Sequence, residues 1–72
     1  MDEPKFPYRR IADDLREQIE SGDLTGQLPT RAQLAEAYGV SDMTVGAALK
    51  VLKDEGLIYG IAGLGTFVRQ GS

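Results

Sequence analysis

The chain has 72 residues, with eight Lys and Arg against eleven Asp and Glu, a formal net charge of -3, and neither cysteine nor histidine. A chain this short is one domain that buries only about 60% of its unfolded-state surface, and without Cys or His it has no disulfide framework and no thiolate or imidazole metal site, so no structural metal or other cofactor is expected. No apolar run approaches the ~18 residues needed to cross a bilayer, and a start carrying Asp2, Glu3 and Lys5 does not read as a secretory leader, so the expectation is a cytoplasmic protein without a membrane partner. Residues 1–7 lack periodicity and read as a flexible lead, with Pro7 starting or preceding the first helix. Tyr8, Ile11, Ala12, Leu15 and Ile19 then recur at helical spacing, which predicts a helix over 8–21 with Arg9, Arg10, Asp13, Asp14, Arg16, Glu17 and Glu20 on its other face. Gly22 ends it, residues 22–26 form a turn with Leu24 as its apolar plug, and Gln27-Leu28 is long enough only to add an edge to a small sheet.

Thr30 is followed three residues later by Gln33, a capping-box pattern, and Pro29 stops the chain from continuing helically backwards. The second helix is therefore placed at 31–38. Ser41 caps a third helix, which receives Asp42 at the positive end of its dipole, buries Val45, Ala48, Leu49 and Leu52, and stops at Gly56. The period then changes, and β-type runs at 57–59 and 66–68 flank 60–65 as a hairpin with a flexible glycine-rich tip. Residues 70–72 are left as a tail, and the domain spans 8–69. Leu34, Val45, Leu49, Leu52 and Phe67 are expected to share one core, with Tyr8, Tyr38, Tyr59 and Phe67 as packing residues rather than stacking platforms.

The middle of the chain is its most informative part. Ala35 lets two helices approach closely, Gly39 permits a positive φ between them, and Val45 and Leu49 fill the crossing, which is how a helix-turn-helix is built. With the hairpin added, the fold class is mainly α with a small antiparallel β-hairpin, a winged helix-turn-helix. Its third helix is the one normally offered to the DNA major groove.

The chain resembles the N-terminal DNA-binding domain of the GntR family of bacterial transcription regulators. The likeness is carried by Tyr8, Ile11-Ala12, Leu15-Arg16, Ile19, Ser21-Gly22-Asp23-Leu24 and Gly26 in the first third. Leu28-Pro29-Thr30, Leu34-Ala35, Tyr38-Gly39-Val40-Ser41, Thr44-Val45 and Ala48-Leu49 continue it, and Leu52, Glu55-Gly56-Leu57-Ile58, Gly63 and Gly65-Thr66-Phe67-Val68 complete it. The resemblance implies a double-stranded DNA partner with a palindromic operator, a homodimer, a recognition helix in the major groove and a wing over the minor groove. It also implies arginines at positions that here hold Ala32, Asp42 and Gly46.

The candidate DNA-contacting residues are Thr30, Arg31, Ser41, Asp42, Met43, Thr44, Gly46, Ala47, Lys50, Gly63 and Gly65. Thr30 and Ser41 can serve as caps alone or also meet phosphate at a helix N-terminus. Arg31 can replace the missing neighbouring arginine at a phosphate, Asp42 can accept from a cytosine amino group, and Met43 can pack on a thymine methyl. Lys50 reads equally as a solvated charge or a phosphate partner, and Gly63 and Gly65 as a minor-groove tip or a plain tight turn. Arg9, Arg10 and Arg16 read as a solvated face interleaved with acids. Asp13 and Asp14 diverge on a helix with no histidine or cysteine near, so no enzyme is expected. The alternative function is a winged-helix module that has lost most DNA affinity and binds protein through an apolar surface of Met43, Ala47, Ile61, Ala62 and Leu64.

Overall fold

The computed structural model describes residues 7–69. The lead expected at 1–7 lies outside the described residues except for Pro7, which opens the first helix, and the tail expected at 70–72 lies outside them altogether. Three helices, α1 (Pro7–Ser21), α2 (Arg31–Tyr38) and α3 (Asp42–Asp54), precede an antiparallel hairpin of β1 (Ile58–Ile61) and β2 (Gly65–Val68).

The helix boundaries follow from local chemistry. At α2 the Thr30 side chain accepts from the Gln33 N–H at 3.1 Å, while the Thr30 N–H donates to Gln33 Oε1 at 2.9 Å, closing the reciprocal box. At its other end Gly39 takes φ 68°, which lets Gly39 N–H donate to Glu36 O and Val40 N–H to Ala35 O. Those two bonds satisfy the last carbonyls of α2 and turn the chain into α3. Ser41 then caps α3 by accepting from the Thr44 N–H at 3.2 Å.

One core joins all five elements. Ile11, Ala12 and Leu15 of α1, Leu28 of the linker, Leu34 of α2, Val45, Ala48, Leu49 and Leu52 of α3, and Ile58 and Val68 of the hairpin are buried together. Leu24 packs on its margin, as the plug of the turn. Gln27 bridges to Phe67, so the linker forms a short third edge on the hairpin.

The hairpin corrects two expectations. Ile58 pairs with Val68 and Tyr59 with Phe67, and side chains alternate along a strand, so the core-facing pair is Ile58 and Val68. Phe67 is therefore outside the shared core, and Tyr59 is exposed, stacked on Phe67 with ring centroids 5.9 Å apart and with Arg69 over its ring. The tip is also shorter than 60–65, because Gly60-Ile61 and Gly65 belong to the ladder and only Ala62-Gly63-Leu64 turns.

Two polar contacts fasten α1. Arg16 grips Glu55, at the end of α3, through Nε and Nη2 at 2.8 Å each, and Asp13 through Nη1 at 2.6 Å, so it is not the solvated charge expected from its neighbours. The Tyr38 hydroxyl donates to Asp14 at 2.5 Å, and burial together with that bond pushes its pKa up to about 12.

Truncating Leu52, fully buried where α3 meets its neighbours, is expected to remove about 2 to 5 kcal/mol of stability. A urea titration of Leu52→Ala reads this directly, and a midpoint equal to wild type would place Leu52 outside the core. The Arg16 hydrogen bonds hold the Glu55 carboxyl below its ordinary value. Its contribution is thus present above the unfolded-chain value of 4.5 and lost as pH falls through the lower folded value. Glu55→Gln should accordingly be less stable than wild type at pH 7, with the gap in urea midpoints closing as acidification proceeds below 4.5.

Candidate nucleic-acid interface

The exposed side of α3, residues 27–31 and the tip end of the hairpin at Leu64, Gly65 and Thr66 enclose an open cleft of about 460 Å³. Among the described residues its lining includes Arg31, Lys50 and Lys53 and no carboxylate, whereas Asp13, Asp14, Glu17 and Glu55 line the grooves along α1. The lining of this cleft is thus cationic although the chain as a whole carries a net charge of -3.

Each element sets its own part of this face. The box at Thr30 begins α2 so that Arg31, its first residue, stands beside α3. An ideal Cβ at Gly46 would lie 3.2 Å from Arg31 Nη2, 3.3 Å from Cζ and 3.5 Å from Nε, so the guanidinium covers the bare backbone of α3 at that glycine. Lys50 lies one turn further along, 3.8 Å from Asp54 with both side chains largely exposed, a pairing worth ~0–1 kcal/mol that leaves its ammonium available. Lys53 reaches the hairpin, its Nζ 3.5 Å from where a Cβ of Gly60 would be.

Among the residues singled out from the sequence, the structure brings Thr30, Arg31, Gly46, Lys50 and Gly65 around the cleft. Asp42 and Met43 stand outside it on the first turn of α3, Met43 80% exposed. Thr44 and Ala47 are half-buried, and the Ser41 and Thr44 hydroxyls lie 3.0 Å apart. Gly63 sits at the tip of the wing with φ 83°. The sequence reading missed Lys53 and Gln27. Lys53 continues the stripe of Gly46 and Lys50 at helical spacing, which is the signal that would have found it. Gln27 carries no such signal, because its role depends on a contact 37 residues away, where its amide donates to Leu64 O at 2.7 Å and ties the wing to the linker.

The family model described as "Bacterial regulatory proteins, gntR family" matches residues 7–68. The chain belongs to the GntR family. It is 44% identical over 63 residues to the HTH-type transcriptional repressor NagR of Bacillus subtilis (strain 168), covering 85% of this chain and 26% of that protein. It is 43% identical over 65 residues to the mannosyl-D-glycerate transport/metabolism system repressor MngR of Escherichia coli (strain K12), covering 88% of this chain and 27% of the repressor. Among solved structures, the AraR(DBD) in complex with operator ORX1 superposes with TM-score 0.83 at 33% identity, covering 94% of this chain and 82% of that one.

The GntR chain described here therefore spans about a quarter of the length of the curated relatives it matches. The fold is the winged helix of GntR-type DNA-binding domains, as the resemblance implied, and these relatives favour the nucleic-acid reading over the protein-interaction module. Ala47, half-buried, also adds little to the apolar surface which that alternative required.

The wing generates a prediction of its own. Gly65 adopts φ 125°, and a Cβ there would lie 2.7 Å from Gln27 Nε2, the amide that holds Leu64. Gly65→Ala should lose about 1 to 3 kcal/mol of stability, since backbone strain and displacement of Gln27 act together. A thermal melt checks the loss, and faster amide exchange at Leu64, whose N–H bonds Ile61 O, would localise it to the wing.

Proposed function

We propose that this chain is the duplex-DNA-binding part of a GntR-type transcription regulator, with α3 in the major groove and the hairpin over the adjacent minor groove. The observation that carries the reading is the cleft between α3 and wing, lined among the described residues by three cations and no carboxylate, in a fold that superposes on an operator-bound domain. Lys50 and Lys53 meet phosphates as point charges, and the capped N-termini of α2 and α3, with Thr30, Ser41 and Thr44, offer hydroxyl and N–H donors to the backbone. Asp42 accepts from a cytosine amino group, Met43 lies against a thymine methyl, Ala47 allows close approach of the helix, and Gly46 seats the Arg31 guanidinium on α3. Gly63 and Gly65 let the wing follow a narrow groove.

The regulator acts as a homodimer on a palindromic operator, since two copies of one reading helix match a site with the same two-fold symmetry. It works in the cytoplasm, where that DNA is. No helix among the described residues is long and apolar enough to cross a membrane. The module regulates by occupying DNA and performs no chemistry, a reading supported by relatives that are named as repressors.

Titrating a labelled duplex at several salt concentrations tests the reading. With so few basic contacts, log K against log[salt] should fall with a shallow slope of roughly -2 to -4 per monomer. Undetectable duplex binding at low salt, or binding indifferent to salt, would sink it.

A further inference from the structure

The bare backbone of α3 at Gly46 is covered by a side chain that comes from another element. We infer that the guanidinium of Arg31, seated on α3 at Gly46, is the group that reads a guanine in the major groove and so sets sequence preference; this rests on the DNA-binding reading above. The three distances from the Gly46 Cβ position to Nη2, Cζ and Nε agree within a few tenths of an ångström, at 3.2, 3.3 and 3.5 Å. An edge-on guanidinium would place Cζ clearly farther than the nitrogens. The plane therefore faces the helix, and its rim of N–H donors is left to project from it.

The seat fits a reading role in three respects. Gly46 stands one turn after Asp42 and one before Lys50, on the N-terminal half of α3, the part of a recognition helix that meets base edges. Among the described residues no carboxylate pairs with Arg31, in contrast to Arg16, whose fork is fully engaged by Glu55 and Asp13. Arg31 is also the one guanidinium among the described residues that line the cleft, where Lys50 and Lys53 are point charges, and guanine O6 and N7 match a planar fork. A glycine inside a helix weakens it relative to alanine. Here its bare backbone supplies the surface on which a long side chain from α2 is held before binding, which reduces the ordering cost of contact.

The experiment is selection from a random duplex pool by the intact chain and two variants, each checked for native circular dichroism. Arg31→Lys keeps the charge and removes the fork, while Gly46→Leu keeps Arg31 and fills its seat. The wild-type chain should enrich a site with guanine at a defined position. Both variants should lose preference at that position, roughly ten- to hundredfold in affinity ratio between guanine and the other bases, while the remaining positions keep theirs. If Arg31→Lys or Gly46→Leu lowers affinity for every duplex by one common factor and leaves the selected site unchanged, Arg31 meets only phosphate and the inference is overturned. If the wild-type chain itself enriches no sequence, the DNA-binding reading fails and takes this inference with it.

Discussion

Everything in this fold depends on α3 having to bury one stripe against three partners at once. Val45, Ala48, Leu49 and Leu52 face α1, α2 and the start of β1, and the remaining surface of the helix has nowhere to point but outward. The apolar stripe therefore does more than stabilise, because it decides which residues are displayed. A rotation of α3 that exposed Val45 would forfeit about 1.5 to 3 kcal/mol for that side chain alone. The presentation of Asp42, Gly46 and Lys50 is thus held by the same burial that holds the domain together.

The polar contacts sort the charges that this packing leaves on the surface. Arg16 ties α1 to the end of α3 through Glu55 and also engages Asp13, while Asp14 accepts from Tyr38 and Gln18. Three carboxylates are thereby committed to contacts along α1, away from the cleft that carries Arg31, Lys50 and Lys53. An acidic chain can still offer a cationic face, because the potential near a surface is set by the charges closest to it and falls off within about 8 Å at physiological salt.

Much of this was legible in the sequence, and the legible part was local. The box of Thr30 and Gln33, the turn at Gly39 and the cap at Ser41 each depend on residues within a few positions of one another, so their chemistry fixes α2 and the start of α3 without tertiary information. What resisted reading was set by partners distant in the chain. The sequence points to Phe67 as a core residue because a β-run of three apolar or β-branched residues does not declare which face is inward; the pairing of Ile58 with Val68 decides it. Gly46 looked like a lost contact because the side chain that covers it belongs to another helix. The amide of Gln27 was silent for the same reason.

The short linker edge bears on how this surface behaves in company. A two-stranded ribbon has two rows of backbone groups open to a third strand, and unpaired rows are templates on which other chains can add. Residues 26–28 occupy one of them, with Leu28 N–H donating to Thr66 O and Val68 N–H to Gly26 O, both at 2.8 Å. The outer row that remains belongs to β1, only four residues long, and short edges are poor templates. The domain can thus project an exposed Leu64 and a stacked Tyr59–Phe67 pair from a slender hairpin while presenting little strand edge for another copy to extend into an aggregate.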